Sequence, residues 1–304
     1  MKPDVTVVGS LNGDLIVRVP TVPVGGETTL VHGHEQGLGG KGGNQAVAAA
    51  RLNAAVAMVA RVGDDDAGRR YLDLFDQELV DRQRVSVDSQ HKSGLAVVLL
   101  EDSGQNRILV SPGANAALSP TDVSAAGQAI RDSRVVLAQL EVPIEAVVTA
   151  FQLAEGIRIL NAAPAARLPS ELLDLTDVLI VNETELAAVT RGEIPANPAQ
   201  AAIAAAHTGC RGTVIVTLGV QGSIAHESDG RWWHEPARPV AAVDTTAAGD
   251  AFCGALAVEL GKGAPLQQAM AHANLVSAVT VTRPGAISSL PTITDLTIKG
   301  QPTQ

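Results

Sequence analysis

Aromatic side chains are nearly missing from this chain: Phe, Trp and Tyr make up 2% of its 304 residues. Its core must therefore be built from Ala, Val, Leu and Ile, and an apolar fraction of 46% is ample for that. Cysteine is scarce as well. Cys210 and Cys253 lie far apart and form no metal or redox spacing, which excludes a disulfide scaffold and fits a reduced, cytoplasmic protein with structural thiols. Positive charge is short: 22 Lys and Arg stand against 32 Asp and Glu, for a formal net charge of −10. The acids are scattered, which argues against nucleic acid or an anionic membrane as the main partner. Any phosphate site must then use local backbone donors and a few cations. No uncharged apolar run reaches the roughly 18 residues that cross a bilayer. No long apolar region follows Met1-Lys2-Pro3-Asp4, so no signal peptide is expected.

What the chain has is alternation. Apolar runs at 5–9, 56–62, 135–140, 158–161, 178–182 and 213–218 read as strands. Between and after them, helical patterns cover 44–52, 67–79, 120–131, 143–155, 198–208, 249–260 and 265–281. This predicts an α/β fold of βαβ units with a mostly parallel sheet. A continuous apolar strand such as Val178-Leu179-Ile180-Val181 suits a sheet covered on both faces. Two segments break the pattern. Residues 15–37 are strand-rich and carry no helix, and residues 93–111 read as a hairpin turning at Asp102-Ser103-Gly104. They are expected to pair as a small separate sheet. A second hairpin is expected over 223–233, and the last dozen residues are polar and read as peripheral.

The most informative stretch is Asp244-Thr245-Thr246-Ala247-Ala248-Gly249-Asp250, which opens onto the helix pattern. Small residues allow close approach, and the N–H groups of Ala248, Gly249 and Asp250 at a helix start form an anion site. An acid there repels an anion. It makes sense where Asp250 takes a proton from a hydroxyl while the amides hold developing phosphate charge. The plainer reading is a first-turn acid that favours the helix dipole. Elsewhere, Gly9-Ser10-Leu11-Asn12-Gly13-Asp14 follows a strand, and Asn12 and Asp14 read either as a turn or as ligands at a strand end. Gly39-Gly40-Lys41-Gly42-Gly43-Asn44-Gln45-Ala46 runs into an Ala-rich helix; Lys41 is a solvated lysine or a ligand in a glycine hinge. Asn182-Glu183-Thr184-Glu185 fits an N-cap with first-turn acids, which does not exclude a ligand role. The run Thr217-Leu218-Gly219-Val220-Gln221-Gly222-Ser223 is a Gly-rich turn after a strand.

These four motifs, 9–14, 39–46, 182–185 and 244–250, resemble in order and over nearly the whole chain the ribokinase-type sugar kinases, the PfkB carbohydrate kinase family. The 39–46 run resembles the ribokinase branch, since fructokinases and nucleoside kinases carry different residues there. The resemblance implies a ribokinase-like, Rossmann-like sheet flanked by helices, with residues 1–304 as one α/β domain. A small discontinuous β lid, from about 15–38 and 93–111, would cover the sugar and form a homodimer contact. The implied reaction moves the ATP γ-phosphoryl group to O5 of D-ribose, with 2-deoxyribose or another pentose as the near alternative. Asp250 would be the base, and Ala247, Ala248 and Gly249 would complete the anion turn. Asn12, Asp14, Gly40, Lys41, Gly42, Asn44 and Glu141 would bind the sugar. Asn182, Thr217, Gly219, Gln221, Gly222, Gly249 and Asn274 would bind ATP. Glu185 would act on Mg²⁺ through water. Asp244, Thr246, Thr280, Arg283, Gly285 and Ser289 would hold K⁺, largely by carbonyls. Pro284 stands where ribokinases often carry a basic residue, but proline keeps its carbonyl.

Other readings are poorer. Gly37-x-Gly39-x-x-Gly42 with Asp64 matches a dinucleotide fingerprint, but no apolar strand precedes it. A P-loop would need Ser or Thr after Gly40-Lys41 and Gly at Gln36. A sugar-binding module without catalysis would not need Asp250 beside an anion turn. His32 and His34 alternate on a strand, but no third ligand stands at metal spacing.

Overall fold

The computed structural model describes residues 2–103 and 105–299. Its strands are β1 (Val5–Val8), β2 (Asn12–Val19), β3 (Gly33–Gly39), β4 (Val56–Gly63), β5 (Asp81–Asp88), β6 (Gly94–Glu101), β7 (Asn106–Ser111), β8 (Val135–Ala138), β9 (Ile157–Asn161), β10 (Val178–Asn182), β11 (Thr213–Thr217), β12 (Ser223–His226) and β13 (Trp232–Glu235). The helices are α1 (Lys41–Arg51), α2 (Asp66–Gln77), α3 (Pro120–Ala125), α4 (Gly127–Asp132), α5 (Ile144–Leu153), α6 (Ser170–Leu175), α7 (Glu183–Thr190), α8 (Pro198–Ala205), α9 (Ala248–Gly261), α10 (Leu266–Thr280) and α11 (Ile293–Lys299).

Nine strands form the large sheet in the order β13-β12-β11-β10-β9-β8-β1-β4-β5. It is parallel from β11 to β5, and only the β11–β12 and β12–β13 pairs are antiparallel. Both faces are covered, and the period of two along each strand divides the core. Val5, Val7 and Met58 pack with Phe252 and Met270 on the α1, α9, α10 side. Val8 and Val59 pack with Phe151 and Leu186 on the other side. The carboxyl ends of β1, β8, β9, β10 and β11 open along one edge, where parallel sheets place ligands.

The second sheet has the order β3-β2-β6-β7, with β2 and β6 parallel and the outer pairs antiparallel. Its strand β2 begins at Asn12, three residues before the expected segment. Asn12 and Asp14 therefore stand on a strand rather than in the turn that Asn-Gly-Asp suggests, because Gly39 and Gly37 pair with them across β3. Other boundaries also moved. The helix α1 starts at Lys41, so the glycine run forms its first turn. The single helix expected over 120–131 is two, broken at Ala126-Gly127. Strand β5 and helix α6 were not anticipated, and the C-terminal stretch carries α11. Gly104 of the expected turn and residues 300–304 lie outside the described residues.

Candidate active site

The root of the small sheet meets the edge of the large one at Gly40. Its φ of 91° is the left-handed region, and a Cβ there would stand 2.9 Å from the Asn12 amide nitrogen. Gly42 packs as closely on Ser10, where a Cβ would fall 2.6 Å from the backbone nitrogen. This contact fixes Lys41. Its amide donates to Glu141 Oε2 at 3.0 Å, and the same oxygen accepts from the Ser10 hydroxyl. Burial opposes the charge on the Lys41 ammonium, but Asp250, Glu141 and Glu185 outweigh it and hold its pKa above the ordinary lysine value.

Asn12 Oδ1 accepts from Asn115 Nδ2 at 2.7 Å, and Asn115 Oδ1 in turn accepts from the Leu11 amide. The donors of Asn12 have no partner among the described residues. Asp14 Oδ1 and Asn44 Oδ1 are buried and equally unpartnered. Buried polar atoms without partners cost free energy unless a ligand meets them. Burial, with Glu141 and Asp250 nearby, pushes the Asp14 carboxyl up to about 6.

Asp250 lies in the first turn of α9 and is buried. Asn44 Nδ2 donates to its Oδ2 at 2.8 Å and Gln45 Nε2 to its Oδ1 at 2.9 Å. Burial raises its pKa; Lys41 and these two amides oppose that rise. Ala247, the N-cap, is left-handed with φ 60°. The amides of Gly249 and Asp250 have no partner among the described residues, as a helix start dictates. Ala248 differs from expectation: its N–H donates to the Thr245 carbonyl at 3.3 Å, because the left-handed Ala247 closes a turn over it.

A cavity of about 430 Å³ runs from this turn toward β11. Thr217, Gly219, Gly222, Gly249 and Asn274 line it, as do Arg238, Pro239, Val240 and Phe252. Two expected members stand differently. Gln221 is absent from the lining, and its carbonyl accepts from His234 Nε2. Asn274 spends its amide on the Glu235 carbonyl (3.1 Å) and the Ser223 hydroxyl (3.3 Å), holding β12 and β13. A second cavity, about 230 Å³, is lined by Lys41, Asn182, Glu185, Asp250 and Cys253, among others. Thr217, Thr245, Ala248 and Gly249 line both, so the two share a wall. Asn182 and Glu185 form a reciprocal capping box, each side chain bonded to the other's amide at 2.8 Å. Burial raises the Glu185 carboxyl.

Behind the anion turn, Asp244 joins two loops. Its Oδ1 accepts from the amide and hydroxyl of Thr246, and its Oδ2 accepts from the Gly285 amide at 2.8 Å. The carbonyls of Asp244, Thr246 and Gly285 accept no hydrogen bond among the described residues, whereas that of Thr280 accepts from Arg283 N at 3.1 Å. The hydroxyl of Thr280 donates to Val276 O and that of Ser289 to Ala286 O. The Arg283 guanidinium turns away to Asp295.

Sequence reasoning named neither Gln45, Gln139, Asn161 and Asn115 nor the wall of residues 237–242 as site residues. A glutamine ending the strand run Val-Val-Leu-Ala was the available signal for Gln139. The loop at 237–242 has no periodicity to find.

Free amides beside a buried carboxylate, at the carboxyl edge of a parallel sheet and next to the wall of two adjoining cavities, are the arrangement that phosphoryl transfer calls for. The chain matches the model of the pfkB family carbohydrate kinases over residues 2–293, and it belongs to that family. It is 38% identical to the ribokinase of Schizosaccharomyces pombe, covering 96% of each chain. It is 36% identical to a deoxyribokinase of Salmonella typhi over 95% of this chain and 96% of that one. Among solved structures, that of Arabidopsis thaliana ribokinase complexed with ribose and ATP superposes with a TM-score of 0.89, at 31% identity over 98% of both chains.

Proposed function

We propose that this protein transfers the γ-phosphoryl group of ATP to O5 of D-ribose. The observation that carries the reading is Asp250: a buried carboxylate held by two amide donors, beside unpaired helix-start N–H groups and lining the smaller cavity, next to the wall that the two cavities share. The larger cavity, with its apolar wall, suits the nucleotide base. The smaller one, with Lys41 and the α9 amides, suits the phosphates. The sugar fits at the root of the small sheet, where Asn12, Asp14, Lys41, Asn44 and Glu141 offer donors and acceptors of both kinds. Asp250 takes the proton of the attacking hydroxyl, and the amides of Gly249 and Asp250 meet the charge of the transferring group. Relatives named ribokinases across the full length support ribose as the acceptor.

Among the described residues no group of three or more His, Cys, Asp or Glu could hold a metal by itself. A divalent cation that arrives on the nucleotide fits this, because Mg²⁺ keeps waters and phosphate ligands. The free Glu185 oxygen would meet it through water, and its chemistry is to neutralise phosphate charge. Unpaired carbonyls on loops that Asp244 clamps together suit K⁺, with Asp244, Thr246 and Gly285 as the carbonyl ligands. The Arg283 side chain takes no part. The small sheet would serve as lid, and its edge strand β7 exposes Ile108, Leu109 and Val110, which suits a homodimer. A reduced cytoplasmic setting suits the two free thiols, and no described helix is long and apolar enough to cross a membrane.

A second reading, 2-deoxyribose as acceptor, is favoured by the Salmonella typhi relative. The test is a panel of ribose, 2-deoxyribose, fructose and adenosine with ATP and Mg²⁺. Ribose is expected to give the highest kcat/KM. Adenosine or fructose in first place would overturn the ribose assignment and leave the family standing.

A further inference from the structure

Asp250 is met by a run of amides whose direction is fixed from its far end. At the end of β9, Asn161 Nδ2 donates to the Ile180 carbonyl of β10 at 3.4 Å. A carbonyl only accepts, so this bond turns Asn161 Oδ1 toward Gln45. Gln45 Nε2 then donates twice, to Asn161 Oδ1 at 3.0 Å and to Asp250 Oδ1 at 2.9 Å. Its Oε1 accepts from Gln139 Nε2 at 2.6 Å. Gln45, Gln139 and Asn161 are all buried, so a wrong orientation would leave buried polar atoms facing like atoms. Reversing Gln45 would set its oxygen against two acceptors and its nitrogen against the donor of Gln139.

We infer that Gln45, aligned by Asn161 and Gln139, is a positioning residue that holds Asp250 in its anionic, proton-accepting orientation. The inference rests on Asp250 being the base. Asn44, the next residue on α1, supports the other carboxylate oxygen, so neither oxygen can rotate without losing a donor. Titratable groups face Asp250 from every side: Lys41 of α1, Glu141 beyond β8, Glu185 of α7, Asp14 of β2, Cys253 of α9 and Tyr71 of α2. Of these only Lys41 favours the anion by charge. The two amides supply the directional part, which a cation on a flexible stem does not.

The experiment compares Gln45→Met, Gln45→Glu and Asp250→Asn with the parent enzyme. It reads the pH profile of kcat, the ribose KM and the melting temperature. Gln45→Met keeps the length and removes the donors. It should lower kcat at pH 7 about tenfold and move the acid limb up by about one pH unit, with ribose KM within about threefold. Gln45→Glu places a second carboxylate against Asp250 Oδ1. Its acid limb should move further, and raising the pH should not restore parent turnover as fully as in the Met variant. If Gln45→Glu does not fold, the Met variant decides. A folded Gln45→Met with a parent-like kcat profile, beside an inactive Asp250→Asn, would overturn the amide chain. Near-parent turnover by Asp250→Asn would instead overturn the base assignment beneath it.

Discussion

Asn in place of Asp14 should make the empty protein more stable at neutral pH and a poorer binder of sugar. Burial, followed by Glu141 and Asp250, lifts this carboxyl from 3.8 to about 6. Below 3.8 both folded and unfolded chains hold the proton and nothing is lost. As the pH rises, the unfolded chain ionises first, so the folded state loses stability progressively and carries the full penalty above about 6. A rise of about two units corresponds to about 3 kcal/mol at most, since the side chain keeps some exposure. Removing the charge should therefore raise the melting temperature at pH 7.5 by about 2–5 °C and change it little at pH 4.

Sugar binding should show the opposite sign. Hydroxyl donors need the ionised Asp14, and at pH 5 only about a tenth of it is ionised when the pKa is near 6. Ribose affinity should thus weaken about tenfold between pH 7.5 and pH 5. Calorimetry of ribose binding in an Asp250→Asn background isolates this titration, because burial, the largest cause, remains there. A dissociation constant flat from pH 5 to 7.5 would refute the reasoning. So would an Asp14→Asn protein that melts lower than its parent at pH 7.5.

Asp250→Asn itself should lower kcat by roughly 10²–10⁴ with ribose affinity nearly unchanged, since the base acts only in the transition state; near-normal turnover would sink the assignment. Potassium titrated into a sodium buffer at constant ionic strength should raise the rate of ribose phosphorylation. Asp244→Ala, which unclamps the 246 and 285 loops, should abolish that response; a parent enzyme indifferent to potassium would remove the cation site from the account. Ile108→Asp on the exposed face of β7 should convert a dimer to monomer in sedimentation, and an unchanged oligomer would place the contact elsewhere.

The outline of the molecule was legible because parallel strands buried on both faces must be continuously apolar. Polar residues just past such strands then stand out, as Asn12, Asp14 and Glu141 do, whereas Lys41 stands out by its flanking glycines and Asp250 by the small-residue turn before a helix; the roles expected of them, and of Asn44, came from the family resemblance. Strand β5 was missed for the converse reason: it is an edge strand, and Asp81-Arg82-Gln83-Arg84 reads as loop. Tertiary context decided Asn12-Gly13-Asp14, where pairing with β3 overrides turn chemistry. The amides of Gln45, Gln139 and Asn161 were illegible as a group, since they come from α1, the end of β8 and β9 and meet only in the fold. Their signal is individual and weak: a polar residue at the border of an apolar run. The loop lining the larger cavity left none, because Pro239, Val240 and Ala242 differ in no way from an ordinary loop.

The charge arrangement explains why so acidic a chain can still handle phosphate. Lys41 faces Asp250, Glu141 and Glu185, and Asp14 stands against the first two of those carboxylates. These acids outweigh burial in holding the pKa of the ammonium up, while the ammonium and two amides oppose the rise that burial imposes on Asp250. On the proposed reading, the Gly249 and Asp250 amides join Lys41 at the phosphates and attract charge without competing for the proton that Asp250 takes. Division of labour follows from this. On that reading acids meet the sugar hydroxyls, backbone dipoles hold the transferring group, and Lys41 stands beside both sets, so that loss of the lysine should uncouple the site rather than merely weaken one substrate.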